Sequence, residues 1–598
     1  MISSRVAVGL LFDRWVVRMR AAVVAVLLCA TSGCKARVER PFDRIAVPPL
    51  ENLSFDRSHD WLGVIAPFVI SAATVGAERV LAVRLDSDRD LAAARATQVL
   101  RGYYQIEGGK LRIHAVVQDL SSNRVIGQYT QLGEEKANPL PLLLAVGQAL
   151  SGKARPLASQ DVEAWRAFGE SLLAPSPERR LELARLAASR DPKLTFAQIA
   201  AAQTLASQGN SAGAAELLKR AIAAQPDEWQ RTEAEALLAR LEGKPDAALE
   251  AYRRAVRQSP RDTDLIRQLA EVALNHHQYK EAVEWLERAV ALEPNQTALW
   301  NALGYAKAYL GDFEGALRSI DEYRRREPFN PNTYDSAGEI QFMAGRFAEA
   351  EKNFLEAQQK DPSFFGGAEF AKAAFARFLA GDEQGADGLW GRYVETRRAF
   401  HDVFADLRHA HWFLLTGRQE KAEEQLRRLA QGDSEAATRA LLLLGVMQLQ
   451  RGRREEAKAL TQQALLKPKS AVSFNLAGIL RFLAQPSAPP EEWQARAQRA
   501  FAPQTPQNVR NLLLAYAYWL EGHSRAAREL LEPLYRATSP AAADELRLML
   551  GKARLDLGDR NGAAQLLANH PLPPQTGEAL LASLYFPHYR DWRHQALK

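Results

Sequence analysis

Cysteine is almost missing from this 598-residue sequence: the two present, Cys29 and Cys34, both lie near the amino terminus. No disulfide framework, thiolate metal site or cysteine nucleophile can therefore exist beyond residue 34. The short motifs that carry catalysis are missing too. There is no G-x-S-x-G elbow, no Walker loop and no dinucleotide fingerprint. The histidine pairs His276-His277 and His409-x-His411 lack the His-Glu-x-x-His spacing of a zinc protease. His277 stands where comparable segments of the chain carry glycine, which points to a helix end. No tract of one charge sign stands out. The 77 Lys and Arg oppose 71 Asp and Glu, and the signs interleave, which argues against nucleic acid as the main partner. Gly108-Gly109 precedes no helix N-terminus that would hold phosphate, so it reads as a hairpin turn.

The first informative feature is the leader. Arg14, Arg18 and Arg20 precede the apolar run 21–30, and Thr31-Ser32-Gly33-Cys34 follows. A basic flank, a short apolar core and a small-residue end predict a secretory signal peptide over residues 1–33. The run is shorter than the roughly 20 apolar residues a bilayer span needs. Ser32-Gly33-Cys34 resembles a bacterial lipobox, with Thr31 where the pattern carries Leu. The resemblance implies that Cys34 is lipidated and opens the mature chain. It also implies a membrane partner through a lipid anchor; Lys35 in place of Asp directs sorting to the outer membrane of the cell envelope, facing the periplasm. Two or more acyl chains anchor a protein stably. Met19 is an alternative start.

Residues 34–150 read as a small α/β domain. Arg44 to Leu50 predicts a buried strand closed by prolines, Asp60 to Val75 a helix with Asp60 as N-cap, and Glu78 to Leu85 a strand. A second helix is expected over Ser87–Thr97. Val99–Glu107 and Lys110–Asp119 flank the two-residue Gly108-Gly109 turn as a hairpin, and Val125–Gln131 follows as a further strand. The stretches Ile45 to Ser54, Val99 to Tyr103 and Leu111 to Asp119 resemble the amino-terminal module of TolB, found upstream of repeat arrays in bacterial regulators. That resemblance implies a binding or docking module.

The strongest signal is numerical. Pro192, Pro226, Pro260, Pro294, Pro328 and Pro362 are spaced at 34 residues. Between them other positions recur: Trp300, Leu303, Gly304, Gly311, Ala316 and Ile320 in one segment, and Tyr334, Ala337, Gly338, Gly345, Ala350 and Phe354 in the next. Apolar residues at i, i+3 and i+4 place one stripe on each of two helices. Glycine at the fifteenth position ends the first helix, and proline stops the second. Small residues at positions eight and 20, Gly304 with Ala316 and Gly338 with Ala350, predict close helix approach. These segments resemble tetratricopeptide (TPR) repeats. The expected fold is mainly α: a right-handed TPR solenoid after the small α/β domain. Regular repeats occupy 161–364 and degenerate ones 365–570, about 11 in all, and 571–598 forms a C-terminal cap. Gln485–Pro490 reads as a loop or a break between sub-superhelices.

The TPR resemblance also implies a binding surface. Positions two, five, nine, 12 and 13 line the concave groove, which here gives Arg267, Glu271 and Asn275, then Asn301, Tyr305 and Tyr309, then Asp335, Glu339 and Phe342. Amides, charges and aromatic rings on exposed helix faces suit an extended peptide or a helix of a protein partner. The expected function is a non-catalytic, membrane-anchored scaffold without cofactor or metal. The alternative is a regulatory sensor whose α/β domain binds a ligand and whose repeats relay to a partner.

Overall fold

The computed structural model describes residues 43–598 apart from 55, 76, 78–79, 86–95, 154, 225–227, 501–504 and 573–585. The leader, Cys34, Pro226 and most of the helix expected over Ser87–Thr97 lie outside the described residues. Strands β1 (Asp43–Val47), β2 (Glu51–Asn52), β3 (Val80–Arg84), β4 (Gln98–Glu107), β5 (Lys110–Asp119) and β6 (Arg124–Glu134) form one sheet of order β3-β1-β4-β5-β6, with β2 paired to β4. β1 runs parallel to β3 and β4, while β4, β5 and β6 are an antiparallel meander. Gly108 and Gly109 turn the β4–β5 hairpin at φ 58° and 74°, the left-handed region that a two-residue turn requires. Helix α1 (Asp60–Thr74) crosses from β1 to β3, and α2 (Leu140–Ser151) follows β6. Asp60 is the first helical residue and not the cap. A 3₁₀ turn over Arg57–His59 precedes it, with Asp56 accepting from the Ser58 N–H, while Asp60 accepts from Asn52 Nδ2 at 2.8 Å.

Twelve helical pairs follow among the described residues. They are α3/α4 (Val162–Leu173, Pro177–Arg190), α5/α6 (Thr195–Ser207, Ser211–Ala223), α7/α8 (Glu228–Leu241, Pro245–Gln258) and α9/α10 (Thr263–Asn275, Tyr279–Leu292). Next come α11/α12 (Thr297–Leu310, Phe313–Arg326), α13/α14 (Asn332–Met343, Phe347–Lys360), α15/α16 (Ala368–Leu379, Glu383–Ala399) and α17/α18 (Ala405–Leu415, Gln419–Ala430). The last are α19/α20 (Glu435–Gln450, Arg454–Leu465), α21/α22 (Ala471–Leu483, Pro490–Ala500), α23/α24 (Gln507–Leu520, Ser524–Ala537) and α25/α26 (Asp544–Asp556, Arg560–Leu567). A final helix, α27, spans Tyr589–Leu597. The expected count is about 11; the pair α21/α22 flanks the loop at 485–489. The core crosses that loop, because the rings of Phe482 and Trp493 meet edge to face at 5.2 Å.

Pro192, Pro260, Pro294, Pro328 and Pro362 all occupy the turn between one pair and the next. Within the pairs, Gly311 takes φ 92° at the end of α11 and His277 takes φ 60° at the matching place after α9. The expected close approach has a different partner. A Cβ on Gly304 would lie 2.6 Å from Ile320 Cδ1, and one on Gly338 2.6 Å from Phe354 Cε1. The missing side chain therefore admits the large residue at position 24 and not only the small one at position 20.

Two long-range contacts fix the array. The α/β domain shares one hydrophobic core with the first repeats: Trp61, Ile65 and Val69 of α1 pack with Trp165, Phe168 and Phe196. Arg44 of β1 reaches further, to Asp264 Oδ2 at 2.6 Å and Glu293 Oε1 at 3.4 Å. At the other end the chain returns on itself. The His277 ring stacks on Tyr535 with centroids 4.2 Å apart, and its Nε2 lies 2.9 Å from Tyr535 O and 3.1 Å from Thr538 O. The His570 N–H donates to Met343 O at 3.0 Å. The tail helix α27 buries Tyr589 and Trp592 in the core that holds Phe342, Trp412 and Leu567. It thus fills an internal seam as well as covering the last pair.

Candidate partner-binding trough

The first helices α5, α7 and α9 line a common recess. On α9, Arg267 and Glu271 pair with each other at 3.2 Å. Glu271 is exposed, and Arg267 and Asn275 are half-buried. Glu271 and Asn275 line a recess of about 530 Å³ with Gln203, Leu237, Arg240 and Tyr252, rimmed by Ala537 and Ser539 of the returning chain. A second recess of about 780 Å³ lies between the α/β domain and the first repeats, walled by Phe68, Arg84, Phe168 and Phe196. Gln203 and Glu233 border both. The Arg84 guanidinium lies over the rings of Phe68 and Phe196, at 4.7 and 5.1 Å from their centroids. Together these features give a trough with apolar walls and polar groups along its floor, the composition of peptide-binding surfaces.

Further along the array the groove positions are closed. Asp335 and Phe342 are buried, so the expectation that they lie on an exposed face is corrected. Phe342 packs edge to face on Phe347 at 5.3 Å and belongs to the core. Tyr305 and Glu339 are half-buried, and the Tyr305 hydroxyl donates to Glu339 Oε2 at 2.7 Å. Burial, then the Glu339 charge, hold the Tyr305 phenol well above its ordinary range. Asn301 is half-buried. Tyr309 stacks on Tyr279 at 5.6 Å and faces a cavity of only about 60 Å³ shared with Tyr535, Arg547 and His570. The returning chain thus covers this stretch.

At the centre of the closed stretch Lys372 of α15 is buried. Its Nζ lies 2.8 Å from Glu339 Oε1 and 3.2 Å from Glu369 Oε1, and it bonds Asp335. Three carboxyls surround one ammonium. Burial, then the Asp335 charge, push Glu369 well up, so it holds its proton at neutral pH and the net charge of the cluster falls. Lys372 is raised by Glu339, Asp335 and Glu369 against the opposing effect of burial. Among the described residues no group of three His, Cys, Asp or Glu could hold a metal ion. Buried His411 is lowered to about 4 by desolvation. No helix among the described residues is long and apolar enough to cross a membrane.

Family models described as tetratricopeptide repeat match residues 199–263, 239–307 and 301–363. Residues 199–363 are tetratricopeptide repeats. Both recesses are lined in part by residues of these repeats. The solved structures similar to this chain include the C-terminal part of a TPR repeat-containing protein from Cytophaga hutchinsonii, 14% identical. It matches over 40% of this chain and 98% of that one, with a TM-score of 0.33. YrrB, titled a TPR protein with an unusual peptide-binding site, is 20% identical over 31% of this chain and 94% of its own, TM-score 0.26. MamA from Desulfovibrio magneticus RS-1 is 17% identical over 29% and 96%, TM-score 0.26. Among curated proteins none matches this sequence.

Gln203, Glu233 and Tyr252 are among the trough residues that were not sequence-based candidates. Gln203 and Glu233 occupy positions nine and five of earlier repeats, the same positions as Glu271 and Arg267. Counting back by 34 from Thr263 finds them. Tyr252 lies on a second helix, α8, and has no such signal.

Proposed function

We propose that this protein is a non-catalytic scaffold of the bacterial cell envelope. Lipid on Cys34 holds it to the outer membrane, facing the periplasm, and it seats a segment of a protein partner in the trough over α5, α7 and α9. One observation carries the binding part: two adjoining recesses, about 530 and 780 Å³, share Gln203 and Glu233 and are lined by groove positions of consecutive repeats. Interleaved charges favour a protein over a nucleic acid. The leader supports the anchor, since a basic flank, a short apolar run and Ser32-Gly33-Cys34 together resemble a lipoprotein signal. Residues 34–150 act in this reading as a TolB-like docking module fused to the repeats over 161–364 and 365–570, with 571–598 as the closing segment. A second reading has one observation in its favour. The larger recess is walled by both the α/β domain and the first repeats, so a ligand there would touch both, as a sensor requires.

Intact-mass spectrometry of the protein from membranes tests the anchor. The expected result is a chain that starts at Cys34 and carries acyl mass. An unmodified amino terminus at Met1 or Met19 would remove the anchor from the proposal.

A further inference from the structure

Among the described residues strand β6 ends the sheet, and only β5 pairs with it. It is 11 residues long, where edge strands are commonly short or guarded by lysine or proline. β6 has neither within Arg124–Glu134; its one guard is a bulge at Ile126, where Gly127 pairs with Val117 and Val125 with Gln118. Beyond the bulge the strand alternates strictly. Tyr129 packs on the domain core, and a Cβ on Gly133 would meet Leu142 of α2 at 2.9 Å, so the odd-numbered residues face inward. Gln128, Thr130, Leu132 and Glu134 are exposed. Val125, Ile126 and Leu132 are 60%, 55% and 55% exposed, three large apolar side chains on one unpaired edge. Arg124 and Glu134, at its two ends, are exposed and make no ion pair among the described residues.

The order of these residues is self-complementary. A second β6, run antiparallel about a two-fold axis at Tyr129, sets Gln128 against Thr130 of the other copy. It brings Ile126 against Leu132. Each contact occurs twice by symmetry, and both fall on the exposed face, whereas Arg124, across the bulge and paired with Asp119, turns to the other face. The backbone groups along the free edge would complete their ladder in the same step. We infer that β6 is a homodimerisation edge, and that two copies of the chain join their sheets into one across a β6–β6 pair. The partner is a second copy because the strand carries both halves of each contact; a foreign strand would have to supply them.

Sedimentation of the full chain across a dilution series tests this. The expected result is a concentration-dependent species of twice the 66.4 kDa chain mass. Leu132→Lys should weaken the dimer by about tenfold or more, since it sets two charges into the apolar pairs. Ile126→Glu should weaken it likewise, and the two substitutions together should restore it, because each Glu then faces a Lys. Amide exchange along β6 should slow as the dimer forms. A chain that stays monomeric at every concentration would overturn the inference. So would a dimer indifferent to Leu132→Lys, or substitutions at Ile126 and Leu132 that fail to rescue each other. Circular dichroism of each variant separates loss of pairing from loss of fold.

Discussion

Lys372 shows how a groove position becomes interior. Its ammonium meets Asp335, Glu339 and Glu369 from α13 and α15, and it is almost fully buried. Its raised folded pKa contributes stability that is fully present below the ordinary lysine value and is lost only as pH rises through the folded one. At pH 7 that contribution is complete. Lys372→Met should therefore cost about 3–5 kcal/mol in urea unfolding at pH 7, because it strands buried carboxylates. The loss should shrink as pH falls and Asp335, itself raised by burial and by Glu339, takes up a proton. Glu369→Gln should change stability by less than about 1 kcal/mol at pH 7, since the carboxyl it replaces is already neutral there. A large loss for Glu369→Gln would mean that the carboxyl is ionised in the folded protein.

At the scale of elements, the turn after α9 carries two burdens. Its left-handed φ of 60° is one that glycine adopts more cheaply than histidine. The imidazole is kept there and holds Tyr535 and Thr538 across the seam. His277→Gly should leave α9 and α10 intact and speed amide exchange in the segment 535–545 by about tenfold, in line with a lost stack and buried hydrogen bond. Unchanged exchange there would show that the ring does not hold the seam. This turn also marks the limit of what could be read from the sequence. The 34-residue spacing specifies which residues end helices, because proline and a left-handed residue each act within one turn. It also puts groove positions of α5, α7 and α9 on one face, and Glu271 and Asn275 line a recess there. It carries no information about the contact between His277 and Thr538, which are separated by 261 positions. For that reason Tyr305, Tyr309, Asp335 and Phe342 read as open when their repeat positions alone are considered. The small domain was legible where alternation and Gly108-Gly109 fixed its hairpin. Its fusion to α3 through Trp61 and Phe168 was not, since a shared core leaves no local pattern.

Over the whole molecule, the seam and the fused α/β domain divide the inner face of the superhelix. One stretch, from α11 to α13, is shut by the chain's own residues 535–572. The other, from α5 to α9, stays open beneath the α/β domain and carries the trough. In the proposed function, the partner sits in the first half of the array. The most direct test places a photo-crosslinking residue at Gln203, Gln268 or Asn275 inside the trough, and at exposed Glu284 or Arg318 on the second helices. In intact cells the three trough positions should capture one and the same protein, and the two outer positions should not. Capture of that protein from Glu284 or Arg318 with the trough positions silent would contradict the account.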